Sequence, residues 1–113
     1  MKLEFLLAPT RDLQASLSLY RDGLGLVEKW REGDMTVTLA LPDSDVGIML
    51  DAADPDAPSG PVFAVDSVAA FHADRPSELG VVAEPSEIPD GSIAAYSDPG
   101  GFVFYVLDQA QAT

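Results

Sequence analysis

The chain contains no cysteine, one histidine, one tryptophan and only six lysines and arginines among its 113 residues. The missing cysteines exclude a disulfide framework, a thiolate nucleophile and a cysteine-ligated zinc site. The single histidine, His72, leaves no room for a Ser-His-Asp set anywhere but around itself. No apolar run approaches the roughly 18 residues of a membrane-crossing helix. The opening MKLEFLLAPT carries one lysine and a short apolar run broken by Glu4, which reads as a first strand rather than a signal peptide. A phosphate-cradling glycine loop is also missing, because Gly23 and Gly25 follow a helical pattern instead of opening one. A cytoplasmic protein is the expectation.

What is present in excess is acid. Nineteen aspartates and glutamates against the six basic residues give a formal charge of −13. Such a surface repels phosphate backbones and anionic headgroups, which argues against nucleic acid and membrane partners. It attracts cations. Either the charge only solvates the surface or it also draws in a cationic ligand. Apolar content of 47% in a chain of this length supports one domain with one core.

The stretch from Asp12 to Leu26 is the most informative. Leu13, Leu17 and Tyr20 recur at helical spacing, with Ser16 at a tight position beside them. Thr10 or Asp12 can cap the first turn, and Gly23 and Gly25 offer positions where the helix stops and the chain reverses. Around it the pattern predicts a strand over Leu3 to Leu7, then strands from Leu26 to Arg31, Met35 to Leu41 and Val46 to Asp51. Residues 52–60, AADPDAPSG, have no periodicity and read as a linker.

Beyond the linker the order repeats. Pro61 to Val65 reads as a strand, and Ser67 to Asp74 as a helix capped by Asp66 and ended by Pro76. Val81 to Glu84 and Ser92 to Ser97 read as strands, Pro85 to Gly91 as a loop, and Asp98-Pro99-Gly100-Gly101 as a tight turn. Phe102 to Leu107 is the last strand, and Asp108 to Thr113 a frayed tail. Both halves are therefore βαβββ, module one over about 1–51 and module two over about 61–108. Neither could bury its sheet alone, so the expectation is a duplicated single domain.

Asp12-Leu13, Ser16-Leu17, Leu19-Tyr20-Arg21-Asp22 and Leu24-Gly25-Leu26 resemble the first helix and turn of the vicinal oxygen chelate superfamily. That superfamily holds glyoxalase I, extradiol dioxygenases, fosfomycin-resistance enzymes and bleomycin-resistance proteins. Ser97 to Phe102 resembles its Asp-Pro-x-Gly turn, and Val65-Asp66, Gly80 and Gly91 fall where its second module has them. The resemblance spans about Leu3 to Leu107. It implies an α+β fold of two βαβββ modules, forming a curved mixed eight-stranded sheet around a cleft, in a protein that pairs as a homodimer.

Metal-dependent members of that superfamily place one ligand on each of four strands. The resemblance puts these positions at Phe5, on Val46–Asp51 (where Met49 and Asp51 share a face), near Gly60 with Pro61 adjacent, and at Tyr105. At most one carboxylate stands where three or four nitrogen or oxygen ligands are needed. No metal site, and no Zn, Ni, Fe or Mn cofactor, is expected. His72 is expected on the second helix, at its surface or semi-exposed, away from any ligand position.

Strand alternation nominates a ligand-binding cleft face of Phe5, Leu7, Met49, Asp51, Val103 and Tyr105, with Trp30 and Tyr96 able to face either way. Aromatic and thioether groups there suit a flat, apolar ligand. The same residues would also serve as plain core. Asp51 is the best candidate general base, although an aspartate at a strand end is commonly just solvated. Three functions follow: metal-independent small-molecule binding of the drug-sequestering kind, a lyase, isomerase or dioxygenase-like enzyme with a reorganised site, or a non-catalytic interaction module.

Overall fold

The computed structural model describes residues 1–109. Its contacts divide the chain into two units, Glu4–Ser59 and Gly60–Thr113, the latter joined by Met1–Leu3. The fold is α+β, with eight strands of mixed sense.

In the first unit β1 (Lys2–Pro9) leads through helix α1 (Leu13–Leu17) to β2 (Val27–Glu32), β3 (Thr36–Ala40) and β4 (Gly47–Asp51). The strands lie in the order β2-β3-β4-β1, with β1 parallel to β4 and the other pairs antiparallel. Leu17, Val37, Leu39 and Leu50 form its core, with Leu13 and Tyr20 packed against them as the helical spacing implies. Of the two proposed caps, Asp12 is the one that caps α1, and Thr10 supports it from the preceding turn. Asp12 Oδ1 accepts from Ala15 N at 3.0 Å, and Thr10 Oγ1 accepts from Asp12 N and lies 2.7 Å from Ser16 Oγ.

The helix is not uniform. From Ser18 to Gly23 it widens into a π turn, with Leu24 N donating to Leu19 O at 2.9 Å. Gly23 and Gly25 weaken the last turn, and Gly25 takes the left-handed conformation (φ 79°) that ends it. Arg21 and Arg31 both donate to Glu28, which ties this turn to β2.

In the second unit β5 (Gly60–Ala64), α2 (Val68–Asp74), β6 (Gly80–Ile88), β7 (Gly91–Ser97) and β8 (Val103–Gln109) repeat the plan. The order is β5-β8-β7-β6, again with one parallel pair, β5 with β8. Val68, Ala94, Tyr96 and Val106 form the core, joined by Phe63, Phe71 and Phe104.

Three expectations need correction here. Ser67, not Asp66, caps α2, its hydroxyl accepting from Ala70 N at 3.1 Å. The strand expected to end at Glu84 runs on to Ile88 through Pro85, which an edge strand with two register shifts can accommodate. Asp108 does not belong to a frayed tail. It lies in β8, where Oδ2 accepts from Val68 N at 2.6 Å and Oδ1 from Ser92 N at 2.9 Å. One carboxylate thus clamps the start of α2 to the start of β7. Residues 110–113, the rest of that expected tail, lie outside the described residues.

Candidate functional site

Directly paired residues in a sheet share a face, so the register of the first unit shows which side chains meet. One row runs Trp30, Thr38, Met49, Leu7; the next runs Glu32, Thr36, Asp51, Pro9. These rows lie on the face turned away from α1, because the alternate residues Val37, Leu39, Ile48 and Leu50 pack with Leu17. Phe5, Leu7, Trp30, Met49 and Asp51, five of the nominated residues, are therefore together on one sheet face. The side of Trp30 is decided by a bulge between Glu28 and Trp30, which interrupts the alternation along β2.

The rings of Phe5 and Trp30 meet edge to face, with centroids 6.2 Å apart. They come from β1 and β2, the outer strands of the four, and reach across residues small enough to allow it. A Cβ added at Gly47 would lie 3.0 Å from Thr38 Cγ2 and 3.5 Å from Phe5 Cδ1, so those two groups already fill the glycine's space. The polar groups on this face are threonines and one carboxylate. Asp51 Oδ1 accepts from Thr36 Oγ1 at 2.9 Å and from Ala53 N at 3.0 Å, and no described residue bonds to Oδ2. Thr38 is fully buried and its Oγ1 has no hydrogen-bond partner among the described residues. Residue typing passed over Thr38. The signal was there: it alternates with Val37 and Leu39 and so shares the face of Trp30 and Met49.

In the second unit Val103 and Tyr105 face away from α2, since Phe104 and Val106 pack with Val68 beneath the helix. Tyr96 lies on the other side. It is wholly buried against Phe71 and Phe104, and its hydroxyl lies 2.8 Å from His72 Nδ1. His72 Nε2 is in turn 3.2 Å from Glu84 Oε2. A neutral imidazole protonated on Nε2 satisfies both contacts, accepting from the phenol and donating to the carboxylate. Burial pushes the Tyr96 phenol above its ordinary value of 10, Arg75 opposes this and Glu84 adds to it. His72 is thus half-buried and ties α2 to two strands.

The chain as a whole has known counterparts. The sequence profile of the glyoxalase/bleomycin resistance protein/dioxygenase superfamily matches residues 2–106. The chain belongs to that superfamily. Among solved structures, methylmalonyl-CoA epimerase from Mycobacterium tuberculosis is 19% identical with a TM-score of 0.72, over 97% of this chain and 89% of that one. A Streptomyces coelicolor methylmalonyl-CoA epimerase variant in complex with 2-nitronate-propionyl-CoA is 17% identical, TM-score 0.75, over 98% and 99%. A superfamily member from Vibrio splendidus is 17% identical, TM-score 0.61, over 94% and 97%. At these identities the likeness is one of fold. No curated protein matches the chain.

Superfamily membership raises the question of a metal, and the side chains answer it poorly. Of the positions the resemblance indicates, Phe5 presents a ring packed on Trp30. At Gly60 a Cβ would lie 2.4 Å from Val103 O, so no ligating side chain could stand there. Met49 offers a thioether, Asp51 one carboxylate already engaged through Oδ1, and Tyr105 a buried phenol. Among the described residues no group of three or more His, Cys, Asp or Glu could hold a metal ion. This donor set does not fit a centre built from histidine and glutamate.

A groove of about 590 Å³ lies elsewhere, in the second unit, bordered by Asp66, Ser67, Glu87, Ser92 and Asp108. It is shallow and open. Both oxygens of Asp108 are already committed to backbone amides, and among the described residues no side chain lining it is buried without a partner. The face bearing Phe5, Trp30 and Thr38 is therefore the better candidate, having rings to stack on and an unsatisfied polar atom. No helix among the described residues is long and apolar enough to cross a membrane.

Proposed function

We propose that the protein binds a small, flat, partly aromatic ligand on the β1–β4 face without a metal ion. The observation that carries this reading is the edge-to-face pair of Phe5 and Trp30 beside Met49, with Phe5 and Met49 on two of the strands where metal-dependent relatives carry their ligands. A half-buried aromatic and thioether surface gains from stacking and dispersion, not from coordination. The formal charge of −13 supports a cationic ligand, since it raises the local concentration of cations and excludes anions. Three of the arginines are already held in ion pairs, Arg11 with Asp56, Arg21 with Asp22 and Glu28, and Arg31 with Glu28. Sequestration of a drug-like cation in the cytoplasm, by a homodimer, is the fullest form of this reading.

The same charge argues against transfer of the ligand seen in the Streptomyces epimerase, because a coenzyme A thioester carries several phosphate charges. A second reading, catalysis of isomerase or lyase type, is favoured by one observation: no described residue bonds to Oδ2 of Asp51, whose strand position is on the ligand face. In that reading Asp51 is the general base.

A thermal-shift series with bleomycin and other cationic aromatic antibiotics, run in excess EDTA, tests the proposal. A concentration-dependent rise in Tm that survives EDTA is expected. No rise at saturating drug, or a rise that appears only with added Zn, Ni, Fe or Mn, would overturn it. Light scattering on a sizing column tests the dimer.

A further inference from the structure

Thr38 Oγ1 is the one buried side-chain atom without a hydrogen-bond partner among the described residues. Burying a hydroxyl without a partner is unfavourable, and replacing it with a methyl would remove the penalty at no cost in shape. Its position is specific: it lies in register between Trp30 and Met49, one row from the Thr36–Asp51 pair, on the face proposed for the ligand. Diagonal neighbours on adjacent strands stand roughly 7 Å apart, so one small polar group can span Thr38 Oγ1 and Asp51 Oδ2.

We infer that Thr38 and Asp51 together bind the ligand on this face, Thr38 accepting a hydrogen bond from a charged nitrogen of the ligand while Asp51 Oδ2 balances the charge. The ligand class is a flat aromatic body bearing an amidinium or protonated amine. This rests on the small-molecule reading above and narrows it. Thr38 can accept through a free lone pair or donate its hydroxyl proton, whereas an ionised Asp51 can only accept, so a group that touches both must donate to Asp51. A ligand with N–H donors satisfies both, whereas a carboxylate is repelled and a neutral carbonyl leaves Asp51 unmatched. The rings of Phe5 and Trp30 add attraction for a cation held near their faces. Thr38 is fully buried in the free protein, so binding displaces one of its flanking side chains. Trp30, half-buried and directly opposite, reports that displacement.

The test uses the full chain and one spectroscopic reporter, because Trp30 is the only tryptophan and gives a single indole N–H resonance. Benzamidine, benzamide and benzoate are titrated separately into wild type, Thr38→Val and Thr38→Ser while that resonance is followed. Benzamidine is expected to move it saturably in wild type and Thr38→Ser, with benzamide about tenfold weaker and benzoate without effect. Thr38→Val is expected to bind benzamidine about tenfold more weakly, yet to melt about 4 °C higher than wild type because its methyl needs no partner. Equal binding of benzamidine and benzamide, unchanged binding in Thr38→Val, or a lower Tm for that variant would each overturn the inference. If benzamide and benzamidine move Trp30 alike, the ligand face stands and the joint role of Thr38 and Asp51 falls. If none of the three moves Trp30, the inference falls together with the ligand reading.

Discussion

The rings of Phe5 and Trp30, carried on strands that do not pair with each other, meet edge to face at 6.2 Å across the narrow residues of the two strands between them. Such a pair contributes about 0.5–1.5 kcal/mol beyond the area it buries. It also occupies a position where metal-dependent superfamily members would hold a ligand. The contact depends on what is missing beneath it, namely a side chain at residue 47.

Replacing Gly47 by alanine should therefore act on the site as well as on stability. The new Cβ would stand 3.0 Å from Leu39 O and from Thr38 Cγ2, and the backbone oxygen cannot swing away. A loss of about 1–3 kcal/mol is expected from overpacking. Urea unfolding measures the loss, and a changed Trp30 emission maximum would show that the ring pair has moved. Wild-type stability with an unchanged spectrum would mean that Phe5 and Thr38 do not fill that space.

Asp108 holds two backbone amides with one carboxylate. Asparagine keeps its size but turns one acceptor into a donor. Asp108→Asn should lower stability by about 1–3 kcal/mol, because one buried amide loses its partner. The loss should be accompanied by faster hydrogen exchange at Val68 N, where α2 begins. A variant within about 0.5 kcal/mol of wild type would show that solvent replaces the clamp.

Tyr96 gives the protein an alkaline limit. Its phenol is held above the ordinary value of 10 by burial, so the neutral form is favoured in the folded state. A raised folded value contributes stability that is complete below the unfolded value and lost as pH rises through the folded one. Tyr96→Phe has no such group to ionise. At neutral pH it should be less stable by about 1 kcal/mol, since His72 Nδ1 loses its partner. Above about pH 10 the two stability curves should converge. Parallel curves across that window would contradict this assignment.

Much of this was legible in the sequence, and the gaps have physical causes. The Asp12–Leu26 signature, the duplicated element order and the shared face of Phe5, Leu7, Met49 and Asp51 followed from periodicity and from the family resemblance. The side of Trp30 did not, because a bulge at the start of β2 breaks the alternation on which such counting depends. Tyr96 stayed ambiguous because Ala94 and Ala95 before it are both small and both buried, leaving no polar residue to mark a face. Asp108 looked like tail because its partners, Val68 N and Ser92 N, are backbone atoms far away in the chain. Thr38 was overlooked for a similar reason. A threonine in a strand looks like ordinary β composition until its register and burial are known.

The central claim is that the face bearing Phe5, Trp30 and Thr38 holds the ligand, and a crystal structure grown with benzamidine in excess EDTA tests it most directly. Expected is ordered density against Thr38 Oγ1 and Asp51 Oδ2, with the Trp30 ring moved from its edge-to-face contact with Phe5. Density confined to the groove at Asp66, Glu87 and Asp108, with the Phe5–Trp30 pair undisturbed, would contradict it.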